Sequence, residues 1–288
     1  MGVGATDVRG APQPGRVIAR PRVTRLLRGR FDHRVTVLVA PAGAGKTTAL
    51  RLSIEANHLD PFGIDIFHPA SQHDGDPAHL VAGLAGTVGC HSTGSVDATI
   101  EAIADTIWSA APRDVVIIID DAHLLGSSTA ALATLADALP TNGHLLLSGR
   151  DAPSIPLARM RAHGQVLDIT ADDLGLDDDE LAALIEVRLA ASSRPAAEVA
   201  NLPRLAAVAD LRLRTGPGAD SDFLWEEVLA TVESPRREIL QRACVLDLVD
   251  DDLVASLSDG TMTAAELVRG LPLVEAGENG TYLSLIHI

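Results

Sequence analysis

Lysine is almost absent from this chain of 288 residues, in which Lys46 is the single lysine and arginine supplies the other fixed positive charges. Aromatic residues are also few, with four Phe, two Trp and one Tyr, so the cores must consist of Leu, Ile, Val and Ala. Cys90 and Cys244 lie far apart in the sequence and indicate neither a disulfide framework nor a zinc site. No apolar run reaches membrane-spanning length, and the first residues lack the apolar core of a signal peptide. We therefore expect a cytoplasmic protein with no membrane partner.

Negative charge is in excess, because 39 Asp and Glu against 23 Lys and Arg give a formal net charge of −16. A surface of this sign repels a phosphate backbone, so the composition argues against a nucleic-acid-binding face in this chain. The length predicts two or three small domains, and 47% of the residues are hydrophobic, which is enough to fill their cores.

The single lysine belongs to the segment Ala40-Pro41-Ala42-Gly43-Ala44-Gly45-Lys46-Thr47-Thr48. This segment matches the phosphate-binding (Walker A) pattern G-x-x-x-x-G-K-[ST], except that Ala40 replaces the first glycine. The apolar, β-branched residues 35–39 before it predict a buried strand, and residues 47–55 after it predict a helix. A strand, a glycine-containing loop and a helix are the context that this motif requires. A glycine turn that carries a lysine by chance is the alternative.

Each part of this loop has a physical property that suits it to binding phosphate groups. Gly43 and Gly45 allow the backbone to approach the phosphates and to turn its N–H groups toward them. The helix that follows adds a partial positive charge at its N-terminus. The ammonium of Lys46 is a compact charge on a flexible stem that reaches the β- and γ-phosphates. The predicted nucleotide-binding residues are Pro41, Ala42, Gly43, Ala44, Gly45, Lys46, Thr47 and Thr48.

A second apolar run, residues 114–120, predicts a strand that ends in Asp120 and is followed by Asp121, the arrangement of a Walker B motif. Asp120 is predicted to hold Mg²⁺ through a water molecule and Thr47 to bind the same ion directly, because Mg²⁺ prefers hard oxygen ligands. Asp121 is placed to orient or deprotonate the attacking water. The predicted cofactors are therefore ATP or ADP with Mg²⁺. A solvated turn after a core strand, with His123 on the surface, is the alternative.

Other polar residues carry weaker signals. Arg150 ends the run Ser148-Gly149-Arg150 after another predicted strand, where it would face the γ-phosphate and stabilise the charge of phosphoryl transfer. The alternative is an ion pair between Arg150 and a surface carboxylate. The acidic run Asp177–Glu180 is interpreted as a helix N-terminus, where carboxylates favour the helix dipole. His68 and His73 show no ligand spacing and are assigned no role.

Five short apolar segments predict strands, and segments with helical spacing of apolar residues separate them. The predicted strands are residues 35–39, 63–68, 114–120, 144–148 and 165–169, and the predicted helices are 47–55, 80–85, 96–111 and 130–139. Residues 20–27 are predicted to lead into a further short helix before the first strand. This alternation indicates an α/β domain with a parallel sheet and helices on both faces.

From residue 177 onward the sequence shows helical patterns and then a hairpin signal. The helical patterns cover 178–191, 196–214, 222–232 and 235–247, with a linker at 215–221. A short helix after Thr263 is followed by Asn279-Gly280 between two apolar runs, which predicts a hairpin. Helices followed by a β-hairpin predict a small winged-helix domain.

Together these segments resemble the ATPase module of the large ATP-binding LuxR-type transcription regulators, which are STAND-class P-loop ATPases related to the maltose-regulon activator. Beside the Walker A segment, the resemblance is carried by Arg20-Pro-Arg-Val-Thr-Arg-Leu-Leu27, Asp120-Asp-Ala-His123, Ser148-Gly-Arg-Asp-Ala-Pro153 with Leu157-Ala-Arg-Met-Arg161, Asp173-Leu-Gly-Leu-Asp-Asp-Asp-Glu180 and Phe223-Leu-Trp-Glu-Glu-Val-Leu229. It extends over residues 16–282.

The resemblance implies an ASCE-type P-loop NTPase domain at 16–175, a helical lid at 176–215 and a winged-helix-like domain at 216–282, after a flexible tail at 1–15. It also implies an ATP-binding, slowly hydrolysing switch that self-associates in its ATP state and responds to a small-molecule or protein inducer. DNA would be reached only through a C-terminal domain that this chain lacks. Pro203 would contact the adenine, although the family's Gly-x-Pro is here Asn201-Leu202-Pro203, and Gly149 separates the family's Ser-Arg pair.

Two other functions fit the same motifs. One is an AAA or origin-recognition-type ATPase whose turnover depends on ring assembly or DNA, and the other is an interaction scaffold whose nucleotide is never turned over. Residues 283–288 resemble the translation of a sequencing adaptor, and we expect them to be non-native and outside the fold. A native final strand is the alternative for these residues.

Overall fold

The structure is a computed structural model that describes residues 17–189, 206, 209–210, 232–243, 248–269, 271, 274–277 and 281–284. The chain divides into two compact units. The first consists of the chain up to Ala40 together with Lys46–Leu174, and the second of Pro41–Gly45 together with the chain from Gly175 onward. None of the helices in the described ranges combines the length and the apolar character needed to span a lipid bilayer.

A parallel five-stranded sheet forms the centre of the first unit. Its strands are β1 (Val35–Val39), β2 (Gly63–Pro69), β3 (Asp114–Asp120), β4 (Gly143–Gly149) and β5 (Val166–Ile169). They lie in the order β2-β3-β4-β1-β5, and every neighbouring pair is parallel. The bounds predicted from the apolar segments agree with these strands to within one residue at each end. The predicted α/β fold with a parallel sheet is confirmed.

Helices precede, connect and follow the strands of this sheet. They are α1 (Pro21–Arg28), α2 (Lys46–Leu59), α3 (Pro77–Val88), α4 (Val96–Trp108), α5 (Thr129–Ala138), α6 (Ala158–Ala162) and α7 (Ala171–Leu174). Side chains of Asp76 and Ser95 cap the N-termini of α3 and α4. The helix predicted for 96–111 ends at Trp108, because the chain must turn toward β3 and Pro112 disfavours helical backbone at the residue before it.

The core of the first unit explains why the third strand is apolar without alternation. Residues Val115–Ile119 of β3 are fully buried, as expected for a central strand covered on both faces. Ile117 lies in a buried cluster together with Leu84 of α3, Ile103 of α4 and Leu132 of α5. Burial of this kind contributes about 25 cal/mol for each Å² of apolar surface removed from water.

The strand order also decides which loops meet. Strand β4 lies between β1 and β3, with Leu147 in register with both Val37 and Ile119, and this is the order expected of an ASCE-type P-loop NTPase. Because all strands are parallel, their carboxyl ends lie at one edge of the sheet. That edge carries the residues that follow β1, β3 and β4, which are the three segments singled out in the sequence.

In the second unit, α8 (Asp178–Leu189) begins at the acidic run, where Asp177 Oδ1 accepts a hydrogen bond from the Glu180 N–H at 2.8 Å. The predicted helix N-terminus is confirmed. Further helices are Ser234–Ala243, Asp251–Leu257 and Ala264–Val268. A small core joins them, built from Ile239, Ala243, Val249, Val254, Ala264 and Leu267.

A three-stranded antiparallel sheet completes the described part of the second unit. Its strands are β6 (Leu248–Val249), β7 (Val274–Ala276) and β8 (Tyr282–Ser284), in the order β6-β8-β7. The pairing of β7 with β8 agrees with the predicted hairpin, although its turn, Asn279-Gly280, lies outside the described residues. Leu283 and Ser284, the first residues of the segment expected to be outside the fold, are part of β8.

Several predicted segments lie outside the described residues. They are the tail at 1–15, the helical patterns at 196–214 and 222–232 apart from residues 206, 209–210 and 232, the linker at 215–221 and the last four residues, 285–288. The winged-helix domain predicted for 216–282 stays a prediction, and so do the boundaries of the lid.

Candidate nucleotide-binding site

The phosphate-binding segment begins where β1 ends and continues into α2. Gly43 and Gly45 have positive φ angles of 78° and 85°, a backbone region that side chains other than glycine rarely adopt. Lys46 is the first residue of α2 and is only 8% exposed. Its Nζ donates a hydrogen bond of 2.6 Å to the carbonyl oxygen of Ala40, the residue that replaces the first Walker A glycine. The buried Ala40 therefore contributes its backbone carbonyl to the segment.

The charge of Lys46 is disfavoured in this setting. Burial lowers the pKa of Lys46, and the positive charge of Arg150 acts in the same direction, while the carboxylates of Asp120 and Asp121 oppose both. An approaching anion stabilises such a buried cation, because the anion favours the charged form of the lysine. The arrangement is thus suited to a phosphate group.

Thr47 and Asp120 meet although 73 residues separate them in the chain. The hydroxyl of Thr47 donates a hydrogen bond of 2.6 Å to Asp120 Oδ2, and the backbone N–H of Asp121 donates one of 3.1 Å to Asp120 Oδ1. The Asp120 carboxylate is 2% exposed and held at both oxygens. A hydroxyl oxygen beside a fixed carboxylate is a donor set that fits Mg²⁺.

Asp121 begins a tight turn directly after β3. Its φ angle is 58°, in the left-handed region that Asp tolerates better than most residues. Its carbonyl oxygen accepts a hydrogen bond of 2.9 Å from the N–H of Leu124. The Asp121 side chain is 49% exposed, in contrast to that of Asp120. The turn therefore presents one buried and one accessible carboxylate at the end of the same strand.

Arg150 follows β4 at the same edge of the sheet. Its positive charge disfavours the charged forms of both Lys46 and His123, so its guanidinium lies within electrostatic reach of both side chains. Gly149, which separates Ser148 from Arg150, has a steric reason to be glycine. A Cβ atom there would stand 3.1 Å from the Asp151 carbonyl oxygen and 3.3 Å from the His123 backbone nitrogen, closer than most contacts of real Cβ atoms.

His123 is more enclosed than its position in a turn after a strand indicated. Its side chain is only 20% exposed, and Nδ1 lies 3.9 Å from Asp121 Oδ1. Within the described part of the chain this Nδ1 is buried without a hydrogen-bond partner. Burial lowers the pKa of His123; Asp121 opposes this shift, and the cations Arg150 and Lys46 add to it. The sequence signal for this position was the spacing Asp-Asp-x-His.

A second histidine cluster lies at the end of β2. Asp74 is 2% exposed and accepts hydrogen bonds from the Ser71 N–H and from His79 Nδ1, at 2.7 and 3.0 Å. His68 Nε2 lies 3.6 Å from the same carboxylate. Among the described residues, no group of three or more His, Cys, Asp or Glu side chains has the geometry to hold a metal ion. The hydrogen bonds from Ser71 and His79 to Asp74 stabilise the segment after β2.

The predicted adenine contact lies outside the described residues, since Pro203 belongs to the range 190–205 that the structure does not describe. The structure brings together Lys46, Thr47, Asp120, Asp121 and Arg150 at one edge of the sheet. Four of these five belong to the two Walker segments, and their meeting follows from the strand order.

Comparisons with known proteins agree with this geometry. The family model described as the AAA domain matches residues 28–151. The chain is 24% identical to the HTH-type transcriptional regulator MalT of Cronobacter sakazakii, in a match that covers 93% of this chain and 34% of that protein. It is 25% identical to MalT of Klebsiella pneumoniae, in a match that covers 92% of this chain and 33% of that protein. The chain thus spans about a third of the length of these curated relatives.

Among solved structures, a Walker-type ATPase of Pyrococcus abyssi has a similar fold. The TM-score is 0.62 at 15% identity, and the match covers 98% of this chain and 99% of that one. At this identity the similarity concerns the fold alone.

Fold, motif geometry and family match define the class: the chain has the α/β fold of a P-loop NTPase, and residues 28–151 match the AAA domain model. Within that class the chain carries a P-loop ATPase module related to that of the MalT regulators, over more than nine tenths of its length. Nucleotide binding is supported by this relationship.

Proposed function

We propose that this chain is the ATP-binding, slowly hydrolysing switch of a signal-responsive transcription regulator. The observation that carries the proposal is that Lys46, Thr47 and Asp120 lie together at one edge of the sheet. There Thr47 Oγ1 donates a hydrogen bond of 2.6 Å to Asp120 Oδ2. Relationship to MalT over most of the chain supports the regulatory part. Because the chain spans a third of those relatives, inducer and DNA binding would lie with other parts of a longer protein.

The residues divide the work of binding and hydrolysis. Backbone N–H groups of residues 42–48, in the loop before α2 and in its first turn, would hold the phosphates, with Gly43 and Gly45 supplying the turns. The Lys46 ammonium would leave the Ala40 carbonyl oxygen for the β- and γ-phosphates, which are stronger acceptors because they are charged. Pro41 and Ala42 begin this loop, Ala44 lies between its glycines and Thr48 follows Thr47 in α2. Pro203 would contact the adenine.

Thr47 and, through water, Asp120 would hold Mg²⁺, which neutralises charge on the β- and γ-phosphates. Asp121, whose carboxylate is accessible, would orient the attacking water or take its proton. Arg150 would stabilise the charge that develops on the γ-phosphate oxygens. Of the two carboxylates at the end of β3, that of Asp121 is the more accessible base, because Asp120 is buried.

A switch needs two states with different ligand affinities. ATP and ADP differ by the γ-phosphate, which is the group that Lys46 and Arg150 would contact. An inducer can move such an equilibrium only through its differential affinity for the two states. We expect the ATP state to self-associate and hydrolysis to end it. Unassisted P-loop GTPases turn over at about 10⁻⁴ per second, which sets the expected scale.

The match to the AAA domain family favours one rival, an AAA or origin-recognition-type ATPase with fast turnover in an assembled ring. Turnover that rises steeply with protein concentration or with added DNA would support this rival. ADP that is bound permanently and never exchanged would instead support an interaction scaffold.

The decisive experiment compares Lys46→Ala with the wild-type chain by calorimetric titration of ATP and ADP in the presence of Mg²⁺. We expect wild-type binding and at least a 100-fold loss in the variant, because about 2.7 kcal/mol or more of charge-assisted contact is removed. Arg25→Ala is the matched control, since it removes an exposed cation of α1 outside these segments. Equal affinity of Lys46→Ala and wild type would refute the loop assignment.

A further inference from the structure

Two large apolar side chains are exposed at the end of α2 that lies away from the phosphate-binding segment. Leu59 is 84% exposed, and Phe62, three residues later, is 52% exposed. Both line a groove of about 470 Å³ between α1 and α2, and Arg28 of α1 lines the same groove. An exposed apolar patch that polar residues surround commonly marks an interaction surface. We refer to these residues and the space between them as the α1–α2 groove.

The backbone that carries Phe62 is held on both sides. The Phe62 N–H donates a hydrogen bond of 2.9 Å to Asn57 Oδ1, and Asn57 Nδ2 donates one of 3.0 Å to the Gly63 carbonyl oxygen. The Arg28 guanidinium lies over the Phe62 ring and also pairs with Asp60. A surface that is ordered before it binds loses less conformational entropy on binding. Aromatic and arginine side chains often carry much of the binding energy of a protein interface.

The charge around this groove is opposite to that of the chain as a whole. Residues 16–31, which include α1, contain six arginines and no carboxylate, although the formal net charge of the chain is −16. The residues that line the groove include four arginines and two carboxylates. Surfaces of opposite charge attract each other, and surfaces of like charge are kept apart. The groove therefore fits a partner whose surface is acidic and partly apolar.

Helix α8 of this chain has a surface of that kind. Asp179, Ala182 and Glu186 are exposed and lie at positions i, i+3 and i+7, so they share one face of the helix. Val187, beside them, is 37% exposed. The acidic and small apolar side chains of this face complement the arginines and the apolar side chains of the groove. A helix that lies with such a face in a groove is a common form of recognition between proteins.

We propose that the α1–α2 groove is a self-association surface that binds the exposed face of α8 from a second copy of this chain. The inference rests on the proposed function, in which the ATP state self-associates, and it names the two surfaces of that association. Because the groove and the α8 face are different surfaces, the contact is head-to-tail. Repetition of a head-to-tail contact gives a ring or a helical filament.

Three variants of the full chain weaken this contact in different ways. Arg28→Glu reverses a charge at the groove, Glu186→Arg reverses one on α8, and Leu59→Ser removes an exposed apolar side chain. We expect each charge reversal to raise the protein concentration needed for half-maximal assembly by about 10-fold, and Leu59→Ser to raise it by about 10- to 100-fold. The measurement is sedimentation velocity over a range of protein concentrations, with ATP and Mg²⁺.

Mixing the two charge variants tests the pairing itself. In an equimolar mixture of Arg28→Glu and Glu186→Arg chains, each reversed charge meets an opposite charge on the other chain. The mixture should therefore assemble close to the wild-type concentration, although neither variant does so alone. Arg159→Glu is the matched control, because it makes the same change of charge at an exposed arginine of α6. We expect it to assemble as the wild type does.

Calorimetric titration of ATP keeps this test separate from that of the proposed function. Wild-type chains that bind ATP but stay monomeric at all concentrations would overturn the inference, and the groove would then serve a different protein. A mixture that assembles no better than its two components, or wild-type assembly by Arg28→Glu and Leu59→Ser, would also overturn it. An equal loss in Arg159→Glu would show that net charge, and not this groove, controls assembly. Failure of the proposed function appears instead as wild-type chains that bind neither ATP nor ADP.

Discussion

Asp120 and Asp121 are consecutive in the chain and have the same side chain, but they differ in exposure, in hydrogen bonding and in backbone conformation. Asp120 is buried and accepts a hydrogen bond at each oxygen, from Thr47 and from the Asp121 N–H. Asp121 is half exposed and begins a left-handed turn. A fixed carboxylate suits the holding of a cation, and an accessible one suits a reaction with water. The division of roles proposed for the two carboxylates therefore follows from the backbone at one strand end.

The roles of the two carboxylates can be separated by Asp121→Asn. We expect this variant to bind ATP with Mg²⁺ as the wild type does, because the Asp120 and Thr47 contacts remain. Phosphate release should fall by about 100-fold or more, since the amide cannot accept the water proton. Calorimetry and single-turnover phosphate release are the measurements. Parallel loss of affinity and turnover, with a lower melting temperature, would indicate folding damage and contradict the assignment.

At the scale of elements, the sequence predicted the five strands well, because buried parallel strands such as residues 115–119 are short, apolar and β-branched. It also predicted that the ends of β1, β3 and β4 carry the site, since each motif follows a strand. It did not predict contacts that depend on which elements become neighbours. The placement of His123 against Gly149 is one of these, because no periodicity in either segment encodes the other.

A buried ion pair between elements is another such contact. Arg30, in the turn after α1, meets Asp65 of β2 at 2.6 Å, and both side chains are less than 5% exposed. Arg30 also donates to Ser53 of α2, and Asn57 donates to the same carboxylate, so the group links three elements. Arg30 and Asp65 lie 35 positions apart, and no pattern in the sequence indicated that they would pair.

Asp65→Ala should lower the free energy of unfolding by about 3–5 kcal/mol, because it leaves the Arg30 charge buried without its carboxylate partner. Asp60→Ala is the matched control: Asp60 is 81% exposed and lies 3.4 Å from an exposed arginine, Arg28. A pair of this kind contributes about 0–1 kcal/mol. Urea unfolding of both variants is the measurement. Equal stability of Asp65→Ala and wild type would show that the pair contributes little.

At the scale of the whole molecule, stability should depend on pH through Asp74. Burial raises the pKa of Asp74, but hydrogen bonds from Ser71 and His79 lower it more, so the net shift is downward. A carboxyl whose folded pKa lies below its unfolded value of about 3.9 stabilises the fold above that value, and the stabilisation is lost as the pH falls through the folded pKa.

Asp74→Asn should therefore be less stable than wild type by about 1–3 kcal/mol near neutral pH, because it loses charged hydrogen bonds. The difference should shrink as the pH falls below about 4 and the wild-type carboxyl takes up its proton. Urea unfolding at a series of pH values tests this. A stability difference that stays constant down to strongly acidic pH would show that the carboxylate charge is not responsible.

The lone ammonium of Lys46 has a practical consequence for chemistry in solution. Amine-directed acylating reagents find a single side-chain target in the entire chain, and that target is 8% exposed in the phosphate-binding segment. A lysine-specific protease likewise has one cleavage position, directly before Thr47. Protection of this amine by a bound molecule would therefore appear as the absence of one acyl group from the mass of the treated protein, beside any group carried by the N-terminal amine.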